Sequence, residues 1–198
     1  MKIKRSLLAS TLFVFLLVAV YLAHIKFFRV NVVLYDALTD AFIAAILAAV
    51  ILFSSRLFSL ITSFEKTLLL IIWLLAGYAW AISGPALIDR SLSFYTLEKL
   101  QQRGGGIRLD AIERIYLEEY NREHRLMDVR LTEQLQSGTI IIRDGCVKLT
   151  PKGDALASFS RYFRQHFLPK KRLLLNEYTD DLTDPFRNSR QITDYTCR

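Results

Sequence analysis

The feature that most constrains this chain is the crowding of long apolar runs into its first 88 residues. Leu7 to Ala23 reads LLASTLFVFLLVAVYLA without a charge, and about 17 helical residues are enough to cross a hydrocarbon core. Its basic start, MKIKR, has the look of a signal peptide. However, Tyr21-Leu22-Ala23 puts a bulky side chain where cleavage needs a small one, so the run reads as an uncleaved anchor. A second run extends from Ala41 to Phe64 with Arg56 as its only basic residue, close enough to one end to reach the interface. A third, Thr67 to Leu87, is uncharged. It carries Trp73, Tyr78 and Trp80, of which the last two suit an interfacial aromatic belt, and Gly84-Pro85 is expected to end it. The expectation is a mainly α membrane domain over residues 1–88, with spans at about 7–23, 41–63 and 67–87. Ser63 to Lys66 is the tight connection between the last two.

Between the first two runs, IKFFRVNVVLYDALTD mixes apolar residues with Lys26, Arg29, Asp36 and Asp40 too often for a clean span, and reads as a segment lying on the membrane surface. Asp36 and Asp40, four apart, share a helix face, which leaves two readings: an ion or proton site, or two solvated acids ahead of a span. Positive charge does not orient the chain. Lys2, Lys4, Arg5, Arg56 and Lys66 fall on one side and Lys26, Arg29, Arg90, Lys99 and Arg103 on the other.

The net charge of +7 divides evenly: seven Lys and Arg against three acids through residue 88, then nineteen against sixteen. The second part is therefore only mildly basic, far from the dense cationic face of a nucleic-acid binder. Cys146 and Cys197 lack the spacing of a zinc site, and a disulfide between them would need an oxidising compartment.

Beyond Asp89-Arg90 the apolar spacing becomes amphipathic. Phe94, Leu97 and Leu100 mark a helix ending at Gly104-Gly105-Gly106, and Ile107-Arg108 is a short extended piece. Asp110 and Glu113 form a capping-box pattern before a stripe of Ile112, Ile115, Tyr116 and Tyr120, with Asn121 as a stop. A third helix covers about residues 123–136, with Ser137-Gly138 as its C-cap. Thr139 to Arg143, the turn Asp144-Gly145 and Cys146 to Leu149 predict a β-hairpin. Thr150 with Pro151 then opens a closing helix.

This order resembles a winged helix-turn-helix domain. The resemblance is carried by Leu135-Gln136-Ser137-Gly138-Thr139-Ile140, the Asp144-Gly145 tip and Val147-Lys148-Leu149-Thr150-Pro151-Lys152-Gly153, which look like the recognition-helix end and wing exit of MarR-type and PadR-type regulators. It covers about residues 91–167. It implies a small α+β domain over 89–168, followed by a polar tail over 169–198, and it implies that the third helix and wing present an interaction surface of His124, Arg125, Arg130, Gln134, Arg143 and Lys148. That helix also exposes Asp128 and Glu133. With Glu123 it carries three acids against two arginines, which argues for protein docking over DNA.

On the closing helix, Phe159, Phe163 and Phe167 stand four apart, ringed by Arg161, Arg164, Lys170, Lys171 and Arg172. Such a stripe packs on the first helix as core, or rests with its basic cluster on anionic headgroups. Asp180, Asp181 and Asp184 in the tail form either a cation site or a solvated loop. Three scattered histidines, a glycine triplet without a following Gly-Lys-Ser/Thr, and no cysteine–histidine motif point to no catalytic residues, no metal and no cofactor.

The expected protein is a non-enzymatic, multi-pass inner (plasma) membrane protein whose winged-helix-like domain faces the cytoplasm. It would serve as an interaction or regulatory subunit, with the lipid bilayer and a membrane protein as partners. The alternatives are a membrane-tethered, DNA-binding transcription regulator and a small transporter or channel subunit.

Overall fold

The computed structural model describes residues 2–187, which divide into two compact units, 2–124 and 125–187. The first is entirely helical: α1 (Lys2–Phe27), α2 (Val33–Ser54), α3 (Ser63–Ala81), α4 (Leu87–Arg90), α5 (Leu92–Gln102), α6 (Leu109–Ile115) and α7 (Asn121–Glu123). In the second, α8 (Leu126–Ser137) leads into a hairpin of β1 (Ile140–Arg143) and β2 (Cys146–Leu149). Then come α9 (Pro151–Phe167) and a second hairpin of β3 (Arg172–Leu174) and β4 (Glu177–Thr179). The residues matched to a winged helix, 91–167, fall on both sides of this division.

Three helices are long and apolar enough to cross a membrane: Lys2–Phe27, Val33–Ser54 and Ser63–Arg90. The first matches expectation. The second is displaced, starting at Val33 rather than Ala41 and ending at Ser54 rather than Ser63. It begins early because each acid of the supposed surface segment finds a partner: Asp36 Oδ2 accepts from the nearby Asn31 amide at 2.9 Å, and Asp40 Oδ1 meets His24 of α1. It stops early because Ser55 leaves the helix and caps a 3₁₀ turn over Arg56–Phe58. Thr62 and Glu65 then make a reciprocal capping box that starts α3 at Ser63, so the connection is residues 55–62 and not 63–66. Nor does Gly84-Pro85 end the third helix. A π-helical turn, Ile82–Ala86, widens the backbone where the proline withdraws its N–H, and the helix runs on to Arg90.

One stripe of α2 carries the core of the bundle. Ala37, Ala41, Ala44, Ala45 and Ala48 are all 5% exposed or less, and such small side chains let neighbouring helices approach closely. Gly77 of α3 sits against Ala41, where an added Cβ would lie 2.9 Å from the alanine Cβ. The rings of Phe13 and Trp73 stack at 5.4 Å, and the indole Nε1–H donates to Ser10 at 3.2 Å. At the end of the bundle where α1 starts, Lys2 pairs with Glu65 at 3.1 Å and Arg5 donates to the Leu57 carbonyl at 2.6 Å.

In α5–α7 the expected helix with an Asp110–Glu113 capping box takes another form. Asp110 pairs with Arg108 instead, and the helix opens without a side-chain cap. Tyr116–Tyr120 forms a π-helical turn that carries the chain past Asn121, the expected stop, to Glu123. The reason lies in tertiary contacts: Tyr95 of α5 packs on Tyr120 at 4.6 Å, and Lys99 reaches Glu119 and Glu123 at 2.7 Å each.

In the second unit the hairpin forms as expected, with Arg143 opposite Cys146 and a two-residue turn at Asp144 and Gly145, both at positive φ. Thr150 caps α9 by accepting from the Gly153 amide at 3.1 Å. The β3–β4 hairpin lies within the stretch read as a polar tail. Leu175 and Asn176 turn it at positive φ, and Leu173 faces Tyr178 across it. Cys197, and with it the candidate Cys146–Cys197 disulfide, lies outside the described residues.

Candidate functional site

The six residues of the expected interaction surface fall into three settings. His124 belongs to the first unit, where its ring meets Tyr95 at 5.1 Å and Tyr120 at 5.0 Å. Arg125 opens the second unit at φ +46 and its Nε donates to Asp128 at 2.8 Å, while Arg130 donates to Glu133 at 2.9 Å one turn on. Gln134 is exposed, but its carbonyl and its side-chain oxygen both accept from the buried Thr139 hydroxyl. Of these six, only Arg143 and Lys148, on adjacent strands, are exposed cations with no ion-pair partner among the described residues.

The chain from Ser137 to Gly153 has a physical reason for its pattern. Thr150 donates to the Gly138 carbonyl at 2.8 Å, Lys152 to the Ser137 carbonyl at 2.6 Å, and Thr139 is 3% exposed. A Cβ at Gly153 would lie 2.0 Å from the Thr139 carbonyl oxygen, so only glycine lets α9 start against the end of α8. The motif is thus a backbone clamp that holds the hairpin.

Within the C-terminal unit the α9 phenylalanines are not buried. Phe159, Phe163 and Phe167 are 61%, 42% and 64% exposed and stack in sequence along the helix. Arg161, Lys170, Lys171 and Arg172 are exposed beside them, with Arg164 half-buried. Of the tail acids, Asp180 and Asp181 are drawn onto Arg187 at 2.9 and 2.5 Å, and Asp181 also accepts from the Thr179 hydroxyl at 2.6 Å. These bonds hold both carboxyls below the usual carboxylate range: Arg187 dominates at Asp180, and the Thr179 hydroxyl, then Arg187, at Asp181. Among the described residues there is no cluster of three metal-binding side chains.

Two polar constellations escaped sequence reasoning. In the first, His24 Nδ1 and Asp40 Oδ1 lie 2.7 Å apart between α1 and α2, with the Asp40 side chain 3% and the His24 side chain 20% exposed. Sixteen residues separate them, so no local spacing signals the pair. The only signal was the oddity of an aspartate beside a span, and Asp36, its supposed companion, serves the preceding loop instead. In the second, Lys99 is 5% exposed between Glu119 and Glu123, the Tyr95 hydroxyl donates to Glu123 at 2.8 Å, and Arg103 reaches Glu119 at 3.1 Å. Bonds to Lys99 hold both glutamates below their usual range, while burial, then the bond to Glu123, pushes the Tyr95 hydroxyl up. Every charge in this cluster is matched within the fold, as befits a structural joint.

No known protein family matches the chain, and neither a curated protein nor a solved structure is measurably similar to it.

Proposed function

We propose that this chain is a non-enzymatic, membrane-anchored interaction or regulatory subunit. Its three apolar helices lie in a bacterial-type inner membrane, and its winged-helix-like C-terminal region works on the cytoplasmic side against a membrane-protein partner. The observation that carries the choice of partner is the state of the α8 arginines. Arg125, at the N-cap of α8, and Arg130 within it are each engaged by a carboxylate three residues on, whereas DNA affinity requires cations free to replace phosphate counterions. Within the helix and wing surface, the runner-up, a tethered transcription regulator, would have to depend on Arg143 and Lys148. The exposed phenylalanine stripe of α9, with its basic cluster, fits the boundary between anionic headgroups and acyl chains.

The test is a photo-crosslinking amino acid at Arg143 in whole cells. The expected outcome is one discrete adduct with a membrane-fraction protein, lost when Lys148 is changed to Glu. Adducts to DNA, together with salt-sensitive DNA retention by the purified chain, would install the regulator instead.

One observation favours a second reading, a small transporter or channel subunit: Asp40 is withdrawn into the apolar bundle, and ionisable residues in such places mark ion and substrate paths. Ion flux into proteoliposomes that disappears in Asp40→Asn with helix content intact would carry this reading, and absence of flux in the unaltered protein would remove it.

A further inference from the structure

Asp40 raises a question of hydrogen bonding that the proposed interaction role does not answer. Its Oδ1 is met by His24 Nδ1 at 2.7 Å, but its Oδ2 is buried without a hydrogen-bond partner. A carboxylate oxygen only accepts, so what it calls for is a donor. The nearby Thr39 hydroxyl is committed to the Tyr35 carbonyl at 2.9 Å. Asp40, His24 and Thr39 line a cavity of about 350 Å³ whose other walls include Val20, Phe28 and Ile43. An apolar cavity with one oriented polar anchor is the ordinary form of a small-ligand site.

The chemistry of the walls selects the occupant. An anion would face the carboxylate, and among the described residues no third ligating side chain joins the pair to hold a bare metal ion. A primary ammonium on an apolar body meets each requirement: an N–H for Oδ2, a charge opposite to the carboxylate, and a hydrocarbon part for Val20, Phe28 and Ile43. Asp40 lies seven residues into α2, about 10 Å from its start. If the bundle spans a bilayer, that is a depth an amphiphile reaches from the surface. We infer that the cavity between α1 and α2 binds an amphiphilic primary amine, its ammonium on Asp40 Oδ2 and its chain along Phe28 and Ile43. The chemistry is shared by free alkylamines and by the headgroup of aminophospholipids. The inference does not rest on the proposed interaction role.

The experiment uses the full chain in phosphatidylcholine nanodiscs, titrated calorimetrically with octylamine and with octanol, with empty nanodiscs subtracted. The expected result is saturable binding of one octylamine, with octanol weaker by about tenfold or more, the worth of one charge-assisted bond. Asp40→Asn lowers octylamine affinity by a similar factor and leaves octanol unchanged. Ile43→Trp, which fills the cavity and keeps the His24–Asp40 pair, weakens both. Phosphatidylethanolamine in the nanodisc that competes with octylamine identifies the lipid headgroup as the source, and lack of competition identifies a free amine. Equal octylamine affinity in the unaltered protein and Asp40→Asn, or uptake that never saturates, overturns the proposal. Should Asp40→Asn fail to reconstitute, undiminished octylamine affinity in Ile43→Trp overturns it equally.

Discussion

In the bundle of α1–α3, the residues withdrawn from the surroundings are mainly alanines, aromatic rings and aliphatic side chains meeting one another, with Asp40 and Lys66 as charged exceptions. In residues 125–187 the closest approaches are made by backbone and hydroxyl groups, and only Thr139, Ile140 and Gly153 are buried among the described residues. The bundle therefore owes its shape to packing, with Ala44, Ala45 and Ala48 fully enclosed and Gly77 against Ala41. The C-terminal unit owes its shape to a lattice of caps around Thr139 and Thr150, and leaves large apolar side chains such as Phe159, Phe167 and Leu149 outside. Apolar surface exposed on the bundle is compatible with cover by a bilayer. The same exposure on α9 is the surface that the proposed interaction role would use.

The comparison can be broken most severely at Gly153. Gly153→Val drives a side chain into the Thr139 carbonyl and should destabilise the C-terminal unit by about 3 kcal/mol. Protease sensitivity confined to residues 125–187, with α1–α3 still protected, is the expected pattern, and simultaneous loss of both would show that the units do not stand apart. Gly77→Val tests the other side. With Ala41 already in contact it should destabilise the bundle by about 2 kcal/mol, read as a lower midpoint of detergent unfolding, and leave hydrogen exchange in the β1–β2 hairpin unchanged. Removing the cap of α9 by Thr150→Ala should weaken the C-terminal unit by about 1 kcal/mol, seen as faster exchange at Gly153 and Asp154.

The smallest effect concerns pH and the Lys99 cluster. Glu119 and Glu123 are held below the usual glutamate value of about 4.3 when folded, so they bind fewer protons than in the unfolded chain. Their contribution is complete above that value and is lost as pH falls through the depressed folded values. Lys99 is raised, so its share is present through neutral pH and fades only as pH climbs past the ordinary lysine range. Near-ultraviolet dichroism of Tyr95, Tyr116 and Tyr120 should weaken on the acid side, and Glu123→Gln should flatten that change. An unaltered acid limb in Glu123→Gln would mean the cluster does not hold the tyrosines.

What this chain's sequence determined alone is whatever depends on local spacing and backbone chemistry. The existence of three long apolar helices, though not their bounds, and the Gly138 cap, the Asp144-Gly145 turn and the Thr150-Pro151 helix start are present as read, because each is enforced within a few residues of itself. Tertiary structure decided the rest. It moved α2 toward its N-terminus, because His24, sixteen residues away, meets Asp40 and admits it to the helix. It carried the chain past Asn121, because Lys99 and Tyr95 hold Glu119, Tyr120 and Glu123 from a separate helix. It left the α9 phenylalanines in the open, since the 3.6-residue period shows that a helix has an apolar face but not what lies against that face. Partners supplied from a distance are invisible to spacing, and in this chain they determine which charges are buried and which rings are bare.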